Sequence, residues 1–262
     1  MSEHSEHLAG KVALVTGGAR GIGKAIAMRL AADGADIILN YKKDEGTANE
    51  TAAEIEAMGR RAMVIQADMR APNDIRGLFK TLKGSWDQLD ILVHNAAFGA
   101  MGPILRLGRF SWNATFETNV TAMLLLAQGA HPWLKRDGGY IIGISSEGSR
   151  TCFSEYTAIG TSKAALEALV RYMAFEFIKD GIRVNSVSAG PVETRAIQWF
   201  KYPQAVYNFA ERKSPMGRIG MPDDLSGIVS FLCSDDSAWV VGQNIVADGG
   251  IMLGVDFKDW LD

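Results

Sequence analysis

The chain has 262 residues, with 27 Lys and Arg against 30 Asp and Glu; a formal net charge of -3 indicates no nucleic-acid partner and no polybasic membrane anchor. Hydrophobic residues are 47% of the total and charged ones 22%, apolar material enough for the core of one large α/β domain that reads small molecules. Two cysteines, Cys152 and Cys233, and four scattered histidines suit a reducing compartment and supply neither a disulfide framework nor a metal site.

The leader up to Leu8 is polar and lacks an apolar h-region, so it is expected to be a tail rather than a signal peptide. No later segment is apolar for long enough to span a bilayer, and the expectation is a soluble, cytoplasmic protein with no membrane partner. Val12–Thr16 is a β-branched run bounded by glycines, the pattern of a buried strand. Ala25–Ala32 follows at helical period, with Gly34 suited to its C-terminal stop. Further strands are predicted at Ala35–Leu39, Ala62–Ile65, Leu89–Val93, Tyr140–Ile144, Ile182–Val187 and Asn244–Ala247. Helical periodicity predicts helices over Glu45–Met58, Ile75–Leu82, Trp112–Leu134 and Ser162–Lys179. Strands alternating with helices predict an α/β fold: a Rossmann-type, doubly wound parallel sheet of about seven strands with helices on both faces. No repeat or linker divides it, so residues 1–262 are expected to form a single domain. Its one long interruption, Gly190 to Met221, lies beyond a strand's carboxyl end, where ligands bind in such sheets, and is expected to be a substrate lid.

Thr16-Gly-Gly-Ala-Arg-Gly-Ile-Gly23 lies where the first predicted strand hands over to the first helix. Gly17, Gly21 and Gly23 permit a tight turn and a close approach of backbone to a pyrophosphate, while the helix N-terminus around Ile22 supplies free N–H groups and a favourable dipole. The strand–turn–helix context reads as a dinucleotide-binding loop. The second strand runs out at Asn40, Tyr41, Lys42 and Lys43, where an NAD-binding fold usually places an acid on the ribose 2′-hydroxyl. No carboxylate stands there, and Arg20 with Lys42 or Lys43 offers charge to a 2′-phosphate, so NADP(H) is the expected cofactor.

Taken in order, Thr16-Gly-x-x-x-Gly-Ile-Gly23, Asp68, Asn95-Ala-Ala97, Asn119, Ser145-Ser146, Ser162-Lys163-Ala-Ala165, Gly190-Pro191 with Thr194, and Asp248-Gly-Gly250 resemble the short-chain dehydrogenase/reductases. The resemblance covers Leu8 to about Gly250. It implies that Asp68, followed by Met69, lies beside the adenine, and Asn95 beside the adenosine ribose. It places Gly190, Pro191, Val192 and Thr194 on the cofactor, with Thr194 at the nicotinamide carboxamide, and makes Lys163 bridge the nicotinamide ribose hydroxyls. Ser146 and Asn119 match the family's catalytic positions.

One departure governs the chemistry. Most of that family carries its catalytic Tyr four residues before the Lys, and here that position is Ile159, which has no proton to donate. Tyr156 stands seven residues before Lys163, about two helical turns, and shares its face if the helix extends back. Tyr-x6-Lys is similar to the spacing of enoyl-acyl-carrier-protein (ACP) reductases, and Ser145 to Leu169 looks most like the NADPH-using enoyl-ACP reductase III branch. The resemblance implies a place in fatty acid biosynthesis, with an acyl thioester on acyl carrier protein or CoA as partner. Hydride would reach C3 while Tyr156 donates to the developing enolate oxygen and Lys163 holds the ribose and a positive charge. Ser146 would bond the thioester or orient Tyr156, and Asn119 would hold a helix backbone and a water chain. Two alternatives stay open: a 3-oxoacyl or other carbonyl reductase in which Tyr156 swings in as the acid, and a cofactor-binding pseudoenzyme, which Ile159 would permit.

Arg195, Lys201, Arg212, Lys213 and Arg218 in the lid, against Glu211, suit an acidic carrier protein or a CoA phosphate, or form a solvated face. Trp199, Phe200, Tyr202, Tyr207 and Phe209 line an acyl pocket or pack the lid shut. The helix after Lys163, with Leu166, Leu169, Val170, Met173 and Phe177, is too apolar for a purely surface element; the resemblance implies a homo-oligomer, usually a tetramer. Met252 to Asp262 has no assigned role, with a place over a neighbouring subunit as one reading.

Overall fold

Runs of Val, Ile and Leu put apolar side chains on both faces of the central strands, and such strands are stable only when both faces are covered. The computed structural model, which describes residues 6–254, supplies that cover with helices on either side. The first five residues of the polar leader and residues 255–262 of the C-terminal segment lie outside the described residues. In chain order the elements are β1 (Val12–Thr16), α1 (Gly21–Ala32), β2 (Asp36–Tyr41), α2 (Glu45–Ala57), β3 (Ala62–Gln66), α3 (Pro72–Ser85) and β4 (Ile91–His94). They continue with α4 (Arg109–Phe116), α5 (Ala122–Leu134), β5 (Gly139–Ser146), α6 (Thr157–Phe177), β6 (Ile182–Ala189), α7 (Pro203–Lys213), α8 (Asp223–Leu232) and β7 (Asn244–Ala247).

The seven strands form one parallel sheet in the order β3-β2-β1-β4-β5-β6-β7, the Rossmann-type arrangement expected from the sequence. The chain works outward from β1 to β3 and then restarts on the other side at β4. That reversal opens a crevice above the carboxyl ends of β1 and β4, where a ligand has room to enter. Leu14, Ile38, Leu92, Ile141 and Val184 point to one side of the sheet and pack with Leu78 of α3, Leu126 of α5 and Leu166 of α6. Val15, Ile37, Leu39, Val93 and Ile142 point to the other, against Ile26 and Leu30 of α1 and Leu225 and Val229 of α8. Each side chain buried this fully contributes roughly 1.5–3 kcal/mol, so the crevice stands on a stiff floor.

Several boundaries differ from the sequence expectation, each for a local reason. Helix α1 starts at Gly21, so the end of the glycine loop is already its first turn. Helix α6 starts at Thr157, five residues before the predicted Ser162, which places Tyr156 at its N-cap. The predicted helix over Trp112–Leu134 is α4 and α5 joined by a π-helical turn, Glu117–Thr121. The wider turn lets Asn119 reach sideways to the backbone of Phe98. Helix α8 was not predicted, although Leu225, Val229 and Leu232 share one face and Asp223 and Asp224 favour its N-terminus. Leu8 is not part of a polar tail: it is 1% exposed, and its N–H donates to the Asp33 carbonyl at 2.8 Å. Among the described residues no helix is long and apolar enough to cross a membrane.

Candidate active site

The crevice is pinned at its base by one hydroxyl. Thr16 Oγ1, at the end of β1, accepts from the N–H groups of Asn95 and Ala96 beyond β4, both at 3.0 Å. The glycine loop rises from there. Gly17 and Gly21 have φ of +61° and +54°, values that exclude most side chains, and a Cβ on Gly23 would collide with the Gly17 carbonyl oxygen. Asn95 Nδ2 donates to the carbonyls of Thr16 and Gly17 at 3.0 and 3.1 Å. The N-cap of α1, Arg20, makes no side-chain cap, and the first turn holds no acid. The result is a shaped cradle with donors directed outward at a helix N-terminus, which fits the pyrophosphate of a dinucleotide.

Three residues expected on the cofactor have side chains engaged within the protein. Asn40 is 2% exposed; its Oδ1 accepts from Gly17 N–H at 3.3 Å, while Nδ2 donates to the carbonyls of Ile65 and Ala67. It shapes the loop from beneath, with its side chain turned to the backbone around it. Met69 is 4% exposed and packs in the core over α3, so any contact it makes is through backbone. Tyr41 is likewise buried, against Ala19 and Ala48. Lys42 remains on the rim and pairs with Asp68 at 2.7 Å, beside a groove of about 510 Å³ that also takes in Lys43, Ile65 and Gln66. Burial works against ionisation of Asp68, but the Lys42 hydrogen bond, the Arg70 N–H and both positive charges hold its carboxyl below the usual range. Arg20 is exposed and acts electrostatically on Asp44, as does Arg195 from the segment after β6. The methyl of Thr194 lies 3.4 Å from where a Gly21 Cβ would stand, so that segment starts directly above the glycine loop.

At the far side of the crevice, β5 delivers Ser146 opposite the N-terminus of α6. Tyr156 OH and Ser146 Oγ lie 3.3 Å apart. Glu155, just before Tyr156, has φ +62°, a left-handed conformation that costs a non-glycine residue about 1–3 kcal/mol. Its carbonyl accepts from Gly102 N–H at 2.9 Å, which helps hold the turn that presents Tyr156. The Tyr156 ring stacks on Phe200 and meets the edge of Phe153, which in turn meets the edge of Phe209, so two of the five lid aromatics converge on it. Trp199 and Tyr202 point outward, at 83% and 65% exposure, and line nothing. Burial raises the Tyr156 pKa; the Ser146 hydrogen bond opposes this and the Glu147 charge adds to it, so the hydroxyl keeps its proton at neutral pH.

Lys163, seven residues on, is 6% exposed and donates to the Ile144 carbonyl at 2.7 Å. Burial pulls its pKa down to about 8, with the Glu167 carboxylate working the other way. Ile159 occupies the position four before Lys163, and its side chain lies against Gly99, where a Cβ would come within 2.5 Å of it. Asn119 is fully buried, with Oδ1 accepting from Phe98 N–H and Nδ2 donating to the Phe98 carbonyl and to Ser162 Oγ. It ties the loop after β4 to α6, and its amide is consumed in doing so. In the lid, Arg218 is bound in bidentate fashion by Asp224 of α8 at 2.6 and 2.8 Å, so it is spent within the protein rather than offered to a partner.

Three further buried ionisable groups stand close to Ser146 and Lys163 and were not among the expected site residues. Glu167 accepts from Ser145 and Ser149, both at 2.6 Å, and its place one turn after Lys163 could have flagged it. His94 is held neutral, its pKa taken down to about 3 by burial and then by the Lys163 charge. Glu147 follows Ser146 and is 5% exposed.

A family model described as "Enoyl-(Acyl carrier protein) reductase" matches residues 17–252. The chain is 33% identical over 256 residues to 1-cyclohexenylcarbonyl-CoA reductase of Streptomyces collinus, a match spanning 96% of this chain and 91% of that protein. It is 32% identical to the L-rhamnose 1-dehydrogenase (NAD(P)(+)) of a Sphingomonas species, over 95% of this chain and 98% of that one. A solved short chain dehydrogenase from Burkholderia cenocepacia, in complex with NADP, superposes with a TM-score of 0.86 at 34% identity, covering 94% of this chain and 99% of that chain.

Proposed function

Because the chain belongs to the short-chain dehydrogenase/reductase family of oxidoreductases, we propose that it reduces the carbon–carbon double bond of an enoyl thioester with NADPH. The observation that carries this reading is the relocated donor. Apolar Ile159 packs on Gly99 at the usual acid position, while the hydroxyl of Tyr156, three residues before Ile159, meets Ser146. In an enoyl thioester the oxygen that gains charge is separated from the carbon that gains hydride, so a displaced donor suits it better than a ketone. The name of the Streptomyces relative, a reductase of an unsaturated acyl-CoA, points the same way.

The cradle formed by Gly17, Gly21, Gly23 and the α1 N-terminus would hold the cofactor pyrophosphate, with Arg20 and Lys42 toward a 2′-phosphate and Thr194 closing from above. NADP in the Burkholderia structure and the absence of an acid at the end of β2 favour the phosphorylated form. When bound, the cofactor would supply hydride to C3, and the enolate left at C2 would take its proton from solvent. Tyr156, protonated and buried, donates a hydrogen bond to the thioester oxygen as charge develops there, a contribution of about 3–4 kcal/mol for a preorganised donor of this kind. Ser146 orients that hydroxyl, and Lys163 places positive charge beneath the crevice. Asn119 fixes the loop wall and does not meet substrate. We take residues 190–221 as the lid of a single domain, with Phe200 and Phe209 as its apolar lining, and an acyl carrier protein or CoA as the carrier. Assembly as a homo-oligomer through the outer face of α6, where Tyr172 and Phe175 are exposed, belongs to the same proposal.

The decisive assay follows NADPH absorbance with a trans-2-enoyl thioester and, separately, a 3-oxoacyl thioester. Oxidation with the enoyl substrate alone is expected. Oxidation with the oxo substrate alone would overturn the assignment in favour of a carbonyl reductase using Tyr156 as its acid.

A further inference from the structure

Glu147 is a carboxyl with no visible employment. It is 5% exposed, and its Oε1 is fully enclosed without a hydrogen-bond partner among the described residues. It sits where β5, β6 and β7 end together: a Cβ on Gly190 would lie 2.6 Å from Oε1 and 3.1 Å from the Asp248 Cβ. Gly190 and Asp248 also line a pocket of about 220 Å³ beneath the lid. The two acids are therefore neighbours with unequal support. Asp248 accepts from the N–H of Gly250 at 2.8 Å and from that of Met252 at 3.1 Å, donors that stabilise its charged form. Glu147 has no such donors, so the proton goes to Glu147.

Its other ionisable surroundings do not reverse that assignment. Tyr156, at the start of α6, feels the Glu147 charge and is neutral. Lys163 is engaged by the Ile144 carbonyl and balanced by Glu167, which Ser145, Ser149 and, at 3.8 Å, Arg150 hold in place. Arg218, across the pocket, is neutralised by Asp224. Burial first, and the Asp248 charge second, push the Glu147 pKa up to about 8.

We propose that Glu147 is a positioning residue of the reduction: it holds a proton beside Tyr156, and losing that proton switches the site off by setting a negative charge where the reaction must create one. The proposal rests on the enoyl-thioester reading for the identity of that developing charge. Protonated Glu147 leaves the field at Tyr156 set by Lys163. Ionised Glu147 opposes the enolate through a poorly screened interior and makes Tyr156 a weaker donor. Nothing is consumed in this step, since the proton stays on the carboxyl throughout turnover.

The test compares wild type, Glu147→Gln and Glu147→Asp by pH profile and by infrared difference spectroscopy of the substrate-free protein between about pH 6.5 and about pH 9.5. Wild-type kcat for the enoyl thioester is expected to fall about tenfold from about pH 7.5 to about pH 9, and a protonated-carboxyl band should vanish over the same range. Glu147→Gln, the permanently neutral isostere, should lack the band, match wild type within about threefold near neutrality, and exceed it about tenfold near pH 9. Glu147→Asp should keep a basic limb. A residue needed only for packing would lower the rate evenly at every pH. A basic limb that keeps the full wild-type depth in Glu147→Gln belongs to Lys163 alone and overturns the proposal, as does a wild type without the band. If the band titrates but the enoyl thioester is not reduced, the buried proton stands and the substrate reading falls.

Discussion

Replacing Tyr156 by Phe removes one oxygen and leaves the rest of the ring in place. The stacking on Phe200 and the edge contact with Phe153 survive, so the lid keeps its anchor. What is lost structurally is a 3.3 Å hydrogen bond to Ser146, itself also bonded by the Gly148 N–H, for which about 0.5–1.5 kcal/mol is a ceiling. What is lost catalytically, under the proposed function, is the donor to the developing oxyanion, about 2.7–4 kcal/mol, or roughly a hundredfold to a thousandfold in kcat. The two losses have different signatures. Stopped-flow or steady-state NADPH oxidation should show the fall in kcat, while the KM for the thioester and the Kd for NADPH by fluorescence titration stay within about threefold. Urea unfolding should move by no more than about 1.5 kcal/mol. A kcat reduced less than about fivefold, with the fold intact, would refute the assignment of Tyr156 as donor.

Other expectations follow from the same geometry. Gly23→Ala drives a Cβ into the Gly17 carbonyl, so the loop must shift; calorimetric NADPH affinity should drop at least about tenfold while far-ultraviolet circular dichroism is unchanged. Arg20→Ala should weaken NADPH by about 1.5–3 kcal/mol and leave NADH nearly unaffected, and an equal loss for both cofactors would remove the 2′-phosphate argument. Glu147→Gln should stabilise the fold at pH 7. The carboxyl's folded pKa, about 8, lies above the 4.5 of the free group, so its favourable contribution is complete below about pH 4.5 and is lost as pH rises to about 8. Allowing for residual screening, the variant should gain about 2–4 kcal/mol in urea unfolding at pH 7 and little near pH 4; a gain equal at both pH values would rule out ionisation as its cause.

Much of this architecture was legible because local and global preferences agree. The β-branched runs at 12–16, 36–41 and 182–189 have one stable use, as strands covered on both sides, and the glycine loop at the β1–α1 junction could be placed before any coordinates. Boundaries went astray where the deciding contact was distant in sequence. Tyr156 is an unusual N-cap without a side-chain cap bond, so nothing local announces that α6 begins at Thr157; the pairing with Ser146 does. The π-turn at 117–121 is set by Asn119 reaching back to Phe98, 21 residues earlier. Asn40 was read as a ligand because it ends a strand at the right place, yet the neighbouring β3 carbonyl of Ile65 and that of Ala67 capture its amide. Nothing local to Glu147, which follows two serines, announces its burial; Gly190 and Asp248, just past the ends of β6 and β7, close against it.

The site then poses an electrostatic problem that the sheet itself resolves. The enolate of the proposed reaction would need positive charge and proton donors, yet Glu147, Glu167 and Asp248 all lie within or beside the crevice wall. Each is dealt with by its immediate partners. Glu167 is satisfied by two serine hydroxyls, and its charge offsets part of the desolvation that pulls Lys163 down. Asp248 is held by two backbone donors in the turn after β7, and its charge falls on Glu147. Glu147, with neither hydroxyl nor N–H to receive it, is held at neutral pH as the neutral acid. The crevice therefore combines a buried cation, a neutral tyrosine and a neutral carboxyl, a set suited to receiving one negative charge and disrupted by a second.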